Sequence, residues 1–296
     1  MSENNINGYQ IIEPWNFCGN GRYSFAKKDG EQFFIKELVY PRFPTAGSEA
    51  VRKERIKECK EYEKTRKEVM DSLKKVALPN GNLLYPIELF RVGAFYYEVS
   101  YRATGKNLDM SIVKRCSREM KVMLIKTIVA SLKLLDDAGV VYGDMKPENI
   151  QVVYDPELNS LRGQIFDLTD AYLSKKPGKR DEVIGTTPYY SPELGKYIIE
   201  QGKFDFLKLD GKRITSKSDI FAAALVIHMY LTGGNMPGIP DKYNYVYEAV
   251  LDNYKPIIDS EIDQDISEIL SSMLSKKPEN RPSASEVLKL MSDINC

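Results

Sequence analysis

Short apolar-rich runs broken by glycine turns fill residues 9–40 and predict strands. Phe17-Cys18-Gly19-Asn20-Gly21-Arg22-Tyr23-Ser24-Phe25-Ala26 sets glycines at a turn between apolar flanks. Lys28-Asp29-Gly30-Glu31 is a second hairpin turn, with Asp-Gly as its signal. Gln32-Phe33-Phe34-Ile35-Lys36 continues as a strand until Pro41 and Pro44 break the pattern. From Ser48, a potential N-cap, to about Val76 the chain is highly charged and free of Gly and Pro. Cys59, Tyr62, Val69, Leu73 and Val76 fall on one helical face, so a single long amphipathic helix is expected, ended by Pro79-Asn80-Gly81. Residues 83–90 and 95–101 predict two further strands. Five strands and one helix would make a small α+β lobe.

The second half changes period. Residues 118–138 predict a helix with Met123, Leu124, Ile128, Leu132 and Leu135 at its apolar positions. Residues 218–231 predict a buried helix, and 265–274 and 284–291 predict amphipathic ones. Gly105-Lys106-Asn107 falls where a linker would, which divides the chain into 1–102 and 103–296.

Composition narrows the chemistry. The chain has 296 residues with 42 basic and 42 acidic side chains, a formal net charge of +0. Nothing in that balance points to nucleic acid or to an anionic membrane. The most apolar run, 220–231, is shorter than the ~20 residues of a membrane span, and the N-terminus MSENNINGYQ lacks the apolar core of a signal peptide. Four scattered cysteines without a C-x-x-C pair fit free thiols in a reducing compartment, so a cytoplasmic protein is expected. A single histidine, His228, inside an apolar run excludes a His-based metal cluster and disfavours a Ser-His-Asp triad. Catalysis should rest on carboxylates, lysines, hydroxyls or a bound metal.

Residues 140–171 concentrate those groups. Asp144, Lys146 and Asn149 share one short loop and Asp167 follows shortly after. Two carboxylates, an amide and an ammonium this close suit a holder for Mg²⁺ and nucleotide phosphates. Upstream, Gly19, Gly21 and Ser24 lie at a turn between strands, where backbone N–H groups can approach phosphate oxygens, and Lys36 follows on the next strand.

Asp144-Met145-Lys146-Pro147-Glu148-Asn149 resembles the catalytic loop of protein kinases, H-R-D-L-K-P-E-N, and Asp167-Leu168-Thr169 resembles their D-F-G. Gly185-Thr186-Thr187-Pro188-Tyr189-Tyr190-Ser191-Pro192-Glu193 is similar to the segment that forms the peptide platform of that family. Ser218-Asp219-Ile220-Phe221 and Asn280-Arg281-Pro282 resemble the start of its buried helix and its late arginine motif. The resemblance implies a two-lobed α+β kinase fold, with ATP and Mg²⁺ as cofactors and transfer of a phosphoryl group to Ser or Thr of a protein substrate. It implies that Asp144 takes the hydroxyl proton, Lys146 neutralises the transferring group, and Asn149 and Asp167 hold Mg²⁺. It also implies that Lys36 holds the α- and β-phosphates, paired with a helix glutamate. Glu58, Glu63 and Glu68 compete for that pairing, and Glu63 is chosen as a compromise of position. Asp219 should bond catalytic-loop backbone, and Arg281 should pair with Glu193.

The pattern departs at four places. Tyr142-Gly143 stands where the family has His-Arg, Thr169 replaces the D-F-G glycine, Ser24 replaces the third loop glycine, and Phe34 takes a position usually alanine. Ser24 is small enough to donate to a phosphate, whereas Phe34 should share the face of Lys36 and crowd the adenine. Residues 155–162 and 197–217 read as insertions, and 205–211 could offer a surface to a regulatory partner. These departures keep two alternatives open: a pseudokinase or scaffold, and a small-molecule kinase.

Overall fold

The Asp-Gly signal closes a two-residue hairpin. In the computed structural model of the chain, Asp29 and Gly30 both have positive φ, 51° and 88°, as a type I′ turn requires. The structure describes residues 5–19, 21–79, 81–174, 185–199 and 214–294. Asn20, Asn80, Cys296 and the 205–211 stretch lie outside the described residues. The chain separates into two units, Met1–Thr104 and Gly105–Cys296.

The first unit contains β1 (Asn5–Ile6), β2 (Tyr9–Ile11), β3 (Asn16–Cys18), β4 (Gly21–Lys28), β5 (Glu31–Leu38), α1 (Glu49–Lys74), β6 (Pro86–Val92) and β7 (Phe95–Tyr101). They form one sheet in the order β1-β2-β4-β5-β7-β6, with β3 also paired to β4. Every pairing is antiparallel. Seven strands exceed the five expected: β1 lies before the 9–40 stretch, and that stretch holds four strands, β2 to β5, instead of three.

Register decides which face each side chain takes, because alternate residues of a strand point to opposite faces. Ser24 pairs with Ile35 and Ile35 with Val99, while Tyr23 pairs with Lys36 and Lys36 with Glu98. One face therefore carries Ala26, Phe33, Ile35, Tyr97 and Val99, which pack with Tyr9 into a core. The other face carries Tyr23, Phe25, Phe34, Lys36, Leu38, Tyr96 and Glu98. Helix α1 covers part of that second face, where Cys59 packs with Leu38 and Tyr96. Ser48 has the extended N-cap backbone, yet its side chain makes no capping bond. The buried residues of α1 are Cys59, Arg66, Val69 and Leu73. The helical spacing anticipated three of them, and Arg66 is the addition.

The second unit contains α2 (Met110–Lys114), α3 (Arg118–Asp137), β8 (Val140–Val141), a 3-10 turn (Pro147–Asn149), β9 (Ile150–Asp155), β10 (Ser160–Ile165) and β11 (Tyr172–Leu173). Helices α4 (Pro192–Ile199), α5 (Ser216–Thr232), α6 (Val246–Leu251), α7 (Gln264–Met273) and α8 (Ala284–Asp293) follow. Helix α5 is buried on all sides, which its lack of polar periodicity required. Thr215 caps it at one end and Gly233, at φ 80°, closes the other. On α3 the expected Met123 is exposed, and Val122, Ile125 and Val129 join Leu124, Ile128, Leu132 and Leu135 in the core instead. Residues 155–162, read as a lengthened turn, form the turn end of the β9–β10 hairpin, with Asp155 paired to Ser160. Among the described residues no helix is long and apolar enough to cross a membrane. A sheet-rich unit followed by a helical one is the α+β class expected.

Candidate active site

The loop after β8 is held from below by one carboxylate. Asp219, in the first turn of α5, accepts the backbone N–H of Tyr142 at 2.8 Å and of Gly143 at 2.9 Å. Gly143 has φ 80°, in the left-handed region that favours glycine. Space is not the constraint there: a Cβ would lie 3.5 Å from Asp170 O and from Tyr172 Cε1, ordinary contact distances. Burial pushes Asp219 up to about 7, against the two N–H bonds that pull it down.

With the loop so placed, three side chains close a ring. Lys146 Nζ donates to Asp144 Oδ2 at 2.5 Å and to Thr186 Oγ1 at 3.0 Å, and Thr186 Oγ1 donates to Asp144 Oδ1 at 2.6 Å. Asn149 Nδ2 donates to Asp144 O at 2.9 Å and to its Oδ2 at 3.1 Å. Both oxygens of a buried carboxylate are thus oriented by an ammonium, a hydroxyl and an amide. A carboxylate fixed in this way can receive a proton from a hydroxyl placed against it.

Asp167 is brought to the same cluster through backbone. Phe166 N donates to Asn149 O at 3.1 Å, and the Tyr142 hydroxyl donates to Phe166 O at 2.5 Å. Tyr142 is fully buried, and burial raises its hydroxyl well above the usual tyrosine range, so it serves as a neutral donor. Asp167 itself has φ 55°, an uncommon backbone for a residue with a Cβ, and Thr169 Oγ1 donates to its Oδ1 at 2.6 Å. Among the described residues no group of three or more His, Cys, Asp or Glu could hold a metal ion alone. Asn149 directs its N–H groups to Asp144, which leaves its Oδ1 as the acceptor. One carboxylate and one amide oxygen are a donor set that fits Mg²⁺, whose remaining ligands are ordinarily water and phosphate.

Farther out, Arg281 pairs with Glu193 through Nη1–Oε1 and Nη2–Oε2, both 2.7 Å. Its other N–H groups reach Ser275 O, Lys217 O and Lys276 O. All five donors of a guanidinium that is 2% exposed are therefore satisfied. The arrangement ties the segment after Thr186 to the start of α5 and to the loop before α8.

A family model described as the protein kinase domain matches residues 47–291. The chain belongs to the protein kinase family. It is 31% identical to serine/threonine-protein kinase A of Synechocystis sp. over half of this chain and 27% of that protein. It is 28% identical to calcium-dependent protein kinase 5 of Arabidopsis thaliana over 63% of this chain and 31% of that protein. It is 23% identical to CBL-interacting protein kinase 10 of Oryza sativa subsp. japonica over 90% of this chain and 56% of that protein. The chain spans less than two thirds of the length of these relatives. Asp144, Lys146, Asn149, Asp167 and Thr186 lie inside the kinase match. Gly19, Gly21, Ser24 and Lys36 lie before it.

The first unit of this kinase corrects two expectations. Ser24 is buried, and its hydroxyl donates to Glu13 O at 2.6 Å on the Ile35 face of the sheet. It is turned away from the Lys36 face and its proton is already committed, so it does not offer a hydrogen bond to a phosphate. The residues of β4 that share the face of Lys36 are Tyr23 and Phe25. Glu63, chosen as the partner of Lys36, accepts the Tyr96 hydroxyl at 2.6 Å instead. The buried charge on α1 is Arg66, which donates to Glu98 Oε2 through Nη2 at 2.6 Å and Nε at 3.2 Å. Neither Arg66 nor Glu98 was singled out from sequence. A charged residue at the helical spacing of Cys59, Val69 and Leu73 was the signal that could have found Arg66.

Gly19 follows Cys18, whose partner across the β3–β4 pairing is Gly21. A Cβ on Gly21 would lie 2.0 Å from Glu37 O, so glycine is demanded there by the neighbouring strand. Phe34 does share the face of Lys36. It stacks on Tyr23 (5.3 Å, 28°) and meets Phe25 edge-on (6.0 Å, 70°). Three half-buried rings therefore stand together beside the lysine.

Proposed function

We propose that this kinase transfers the γ-phosphoryl group of Mg·ATP to serine or threonine hydroxyls of a protein substrate. The observation that carries the reading is the ring formed by Asp144, Lys146 and Thr186. In it Asp144 accepts the proton of the attacking hydroxyl as that oxygen bonds to the γ-phosphorus and the bond to the departing ADP oxygen breaks. Lys146 sits 2.5 Å from the same carboxylate and is placed to offset charge on the transferring group. Thr186 orients the second carboxylate oxygen and lies on the segment similar to a peptide platform. Bound Mg²⁺ would supply charge neutralisation on the phosphates, and Asp167 with Asn149 Oδ1 would hold it. Lys36 would hold the α- and β-phosphates, and the backbone at Gly19 and Gly21 would approach them. The assignment to a protein substrate rests on the family and on the serine/threonine specificity named in the relatives. A regulatory protein partner and a cytoplasmic location complete the proposal, the latter supported by the free thiols of Cys59 and Cys116.

Asp144→Asn keeps the shape of the ring and removes the proton acceptor. Autophosphorylation with Mg·ATP, followed by mass spectrometry, should fall ~10²–10⁴-fold in this variant. The stabilisation of the folded chain by Mg·ATP should be retained. Near-full phosphorylation by Asp144→Asn would remove the base from the mechanism.

The ring cluster of Tyr23, Phe25 and Phe34 favours a second reading, a pseudokinase, because these side chains occupy the face on which a nucleotide base is expected. Thermal-shift titration separates the two. Stabilisation by ATP that requires Mg²⁺ supports the enzyme, and no shift with any nucleotide supports the scaffold.

A further inference from the structure

Thr169 stands where the kinase pattern has the glycine of D-F-G, so it brings a hydroxyl to a place where that pattern has no side chain. Its Oγ1 donates to Asp167 Oδ1 at 2.6 Å, the short bond that a hydroxyl makes to an ionised carboxylate. The backbone on both sides is fixed. Phe166 N donates to Asn149 O at 3.1 Å, and Leu168 is buried. Ala171 N donates to Leu168 O at 3.1 Å, which closes a turn over Thr169 and Asp170. Tyr172 then pairs with Val141, just before the catalytic loop. The left-handed backbone of this segment falls on Asp167, at φ 55°, and not on Thr169, so the branched side chain sits on ordinary backbone.

We propose that Thr169 is a positioning residue for Mg²⁺: its hydroxyl fixes the Asp167 carboxylate in the orientation that holds the ion. The inference rests on the reading of Asp167 as a Mg²⁺ ligand. The reason is preorganisation. The terminal torsion of an aspartate is broad, so a carboxylate without a fixed partner must be oriented as the metal binds. Mg²⁺ demands near-octahedral geometry and tolerates misalignment poorly. Among the described residues no group of three or more potential ligands surrounds the site, so the set of each donor weighs heavily. Donor and acceptor here are two residues apart on one turn, and they keep their geometry together. The hydroxyl also draws charge from Oδ1, which by itself would weaken the ligand. Loss of such outer partners costs ~10–100-fold in metal affinity, so orientation outweighs that withdrawal.

Thermal-shift titration of the full chain with Mg²⁺ at a fixed ATP concentration reads the midpoint of the metal dependence. Thr169→Val keeps the branched shape and removes the hydroxyl, and it should raise that midpoint ~10–100-fold. Thr169→Ser keeps the hydroxyl and should stay within ~3-fold of wild type. If Thr169→Val does not fold, Thr169→Ala removes the same hydroxyl with less bulk and should move the midpoint in the same direction. A hydroxyl with a structural role alone would change the melting temperature without nucleotide and leave the midpoint in place. A midpoint at or below that of wild type in Thr169→Val or Thr169→Ala would therefore overturn the inference. So would a Thr169→Ser midpoint displaced as far as that of Thr169→Val.

Asp167→Asn keeps two kinds of failure apart. A raised midpoint in Asp167→Asn beside an unchanged one in Thr169→Val sinks the positioning role alone. A wild-type chain without a Mg²⁺-dependent shift, or a wild-type midpoint in Asp167→Asn, removes Asp167 as the ligand and the inference with it.

Discussion

Around Asp144 the second unit gathers its polar groups from residues close in sequence, and around Lys36 the first unit gathers its own from strands and a helix far apart. Asp144, Lys146 and Asn149 belong to one loop, and Thr186, Asp219 and the segment that carries Asp167 come from elsewhere to complete the cluster. The Lys36 face instead combines Tyr23 of β4, Phe34 of β5, Glu98 of β7 and Arg66 of α1. The first arrangement keeps the D-M-K-P-E-N run of the kinase pattern, and the second departs from that pattern in bulk at Phe34. A site built from a short segment keeps its geometry as long as that segment keeps its residues. A site built across a sheet changes whenever register or helix facing changes, with no mark in any short motif.

The comparison can be broken most forcefully at Arg281. Removing a fully buried guanidinium whose five donors are all satisfied leaves the part-buried Glu193 carboxylate, 14% exposed, without its cation. Arg281→Met should therefore cost ~3–5 kcal/mol, measured by denaturant unfolding of the full chain. A loss below ~1 kcal/mol would mean that the platform segment is not held by this pair.

Phe34→Ala tests the bulk of the Lys36 face. Phe34 is only half-buried, so its loss should cost less than the ~3–5 kcal/mol of a fully buried ring. Removing it opens the space beside Tyr23 and Phe25, and the thermal shift produced by Mg·ATP should rise relative to wild type. A smaller shift would show that the ring stacks on the base instead of occupying its place.

Ser24→Ala separates a structural hydroxyl from a phosphate ligand. Loss of the bond to Glu13 O should destabilise the chain by ~1 kcal/mol and leave the Mg·ATP shift unchanged. A weakened shift at unchanged stability would return Ser24 to the nucleotide.

The smallest expected effect is a pH dependence in the second unit. His228 Nδ1 meets Asn235 O at 2.8 Å, and its Nε2 accepts Asp259 N at 3.1 Å. Only the neutral ring can make both contacts. Burial lowers its proton affinity, with the Asn235 carbonyl and the Asp259 carboxylate opposing that shift. The unfolded imidazole keeps its ordinary value of 6.5 and so takes up a proton first as pH falls. The stability that His228 contributes is present above that value and lost as pH falls from it toward the lower folded value. His228→Gln should flatten this part of the stability profile, measured by denaturant unfolding across the acid range.

Much of the architecture was legible because it is local. Asp29-Gly30 can close a type I′ turn wherever it occurs between strands, and the apolar run of α5 has no solvated face to show. The partners of Asp219 and Arg281 were readable only through the family pattern, since their contacts span 76 and 88 residues. Two errors share one cause. The spacing from Gly19 suggests a phosphate-facing Ser24, but the pairing of Tyr23 with Lys36 turns every even position of β4 the other way. Helical position alone does not separate Glu58, Glu63 and Glu68, and the sheet beneath α1 presents Tyr96 to Glu63 and Glu98 to Arg66.

The amino-acid sequence by itself determined the family, the α+β class, the turn that carries Asp144, Lys146 and Asn149, and the presence of an aromatic residue beside Lys36. These follow from residue types at fixed short spacings, which the chain cannot rearrange. Tertiary structure alone decided which face Ser24 joins, which α1 residue meets the sheet, and which carboxylate stands across from Lys36. Those outcomes depend on register and on the rotation of a helix over a sheet, and both are set by the sum of many packing contacts rather than by any one residue.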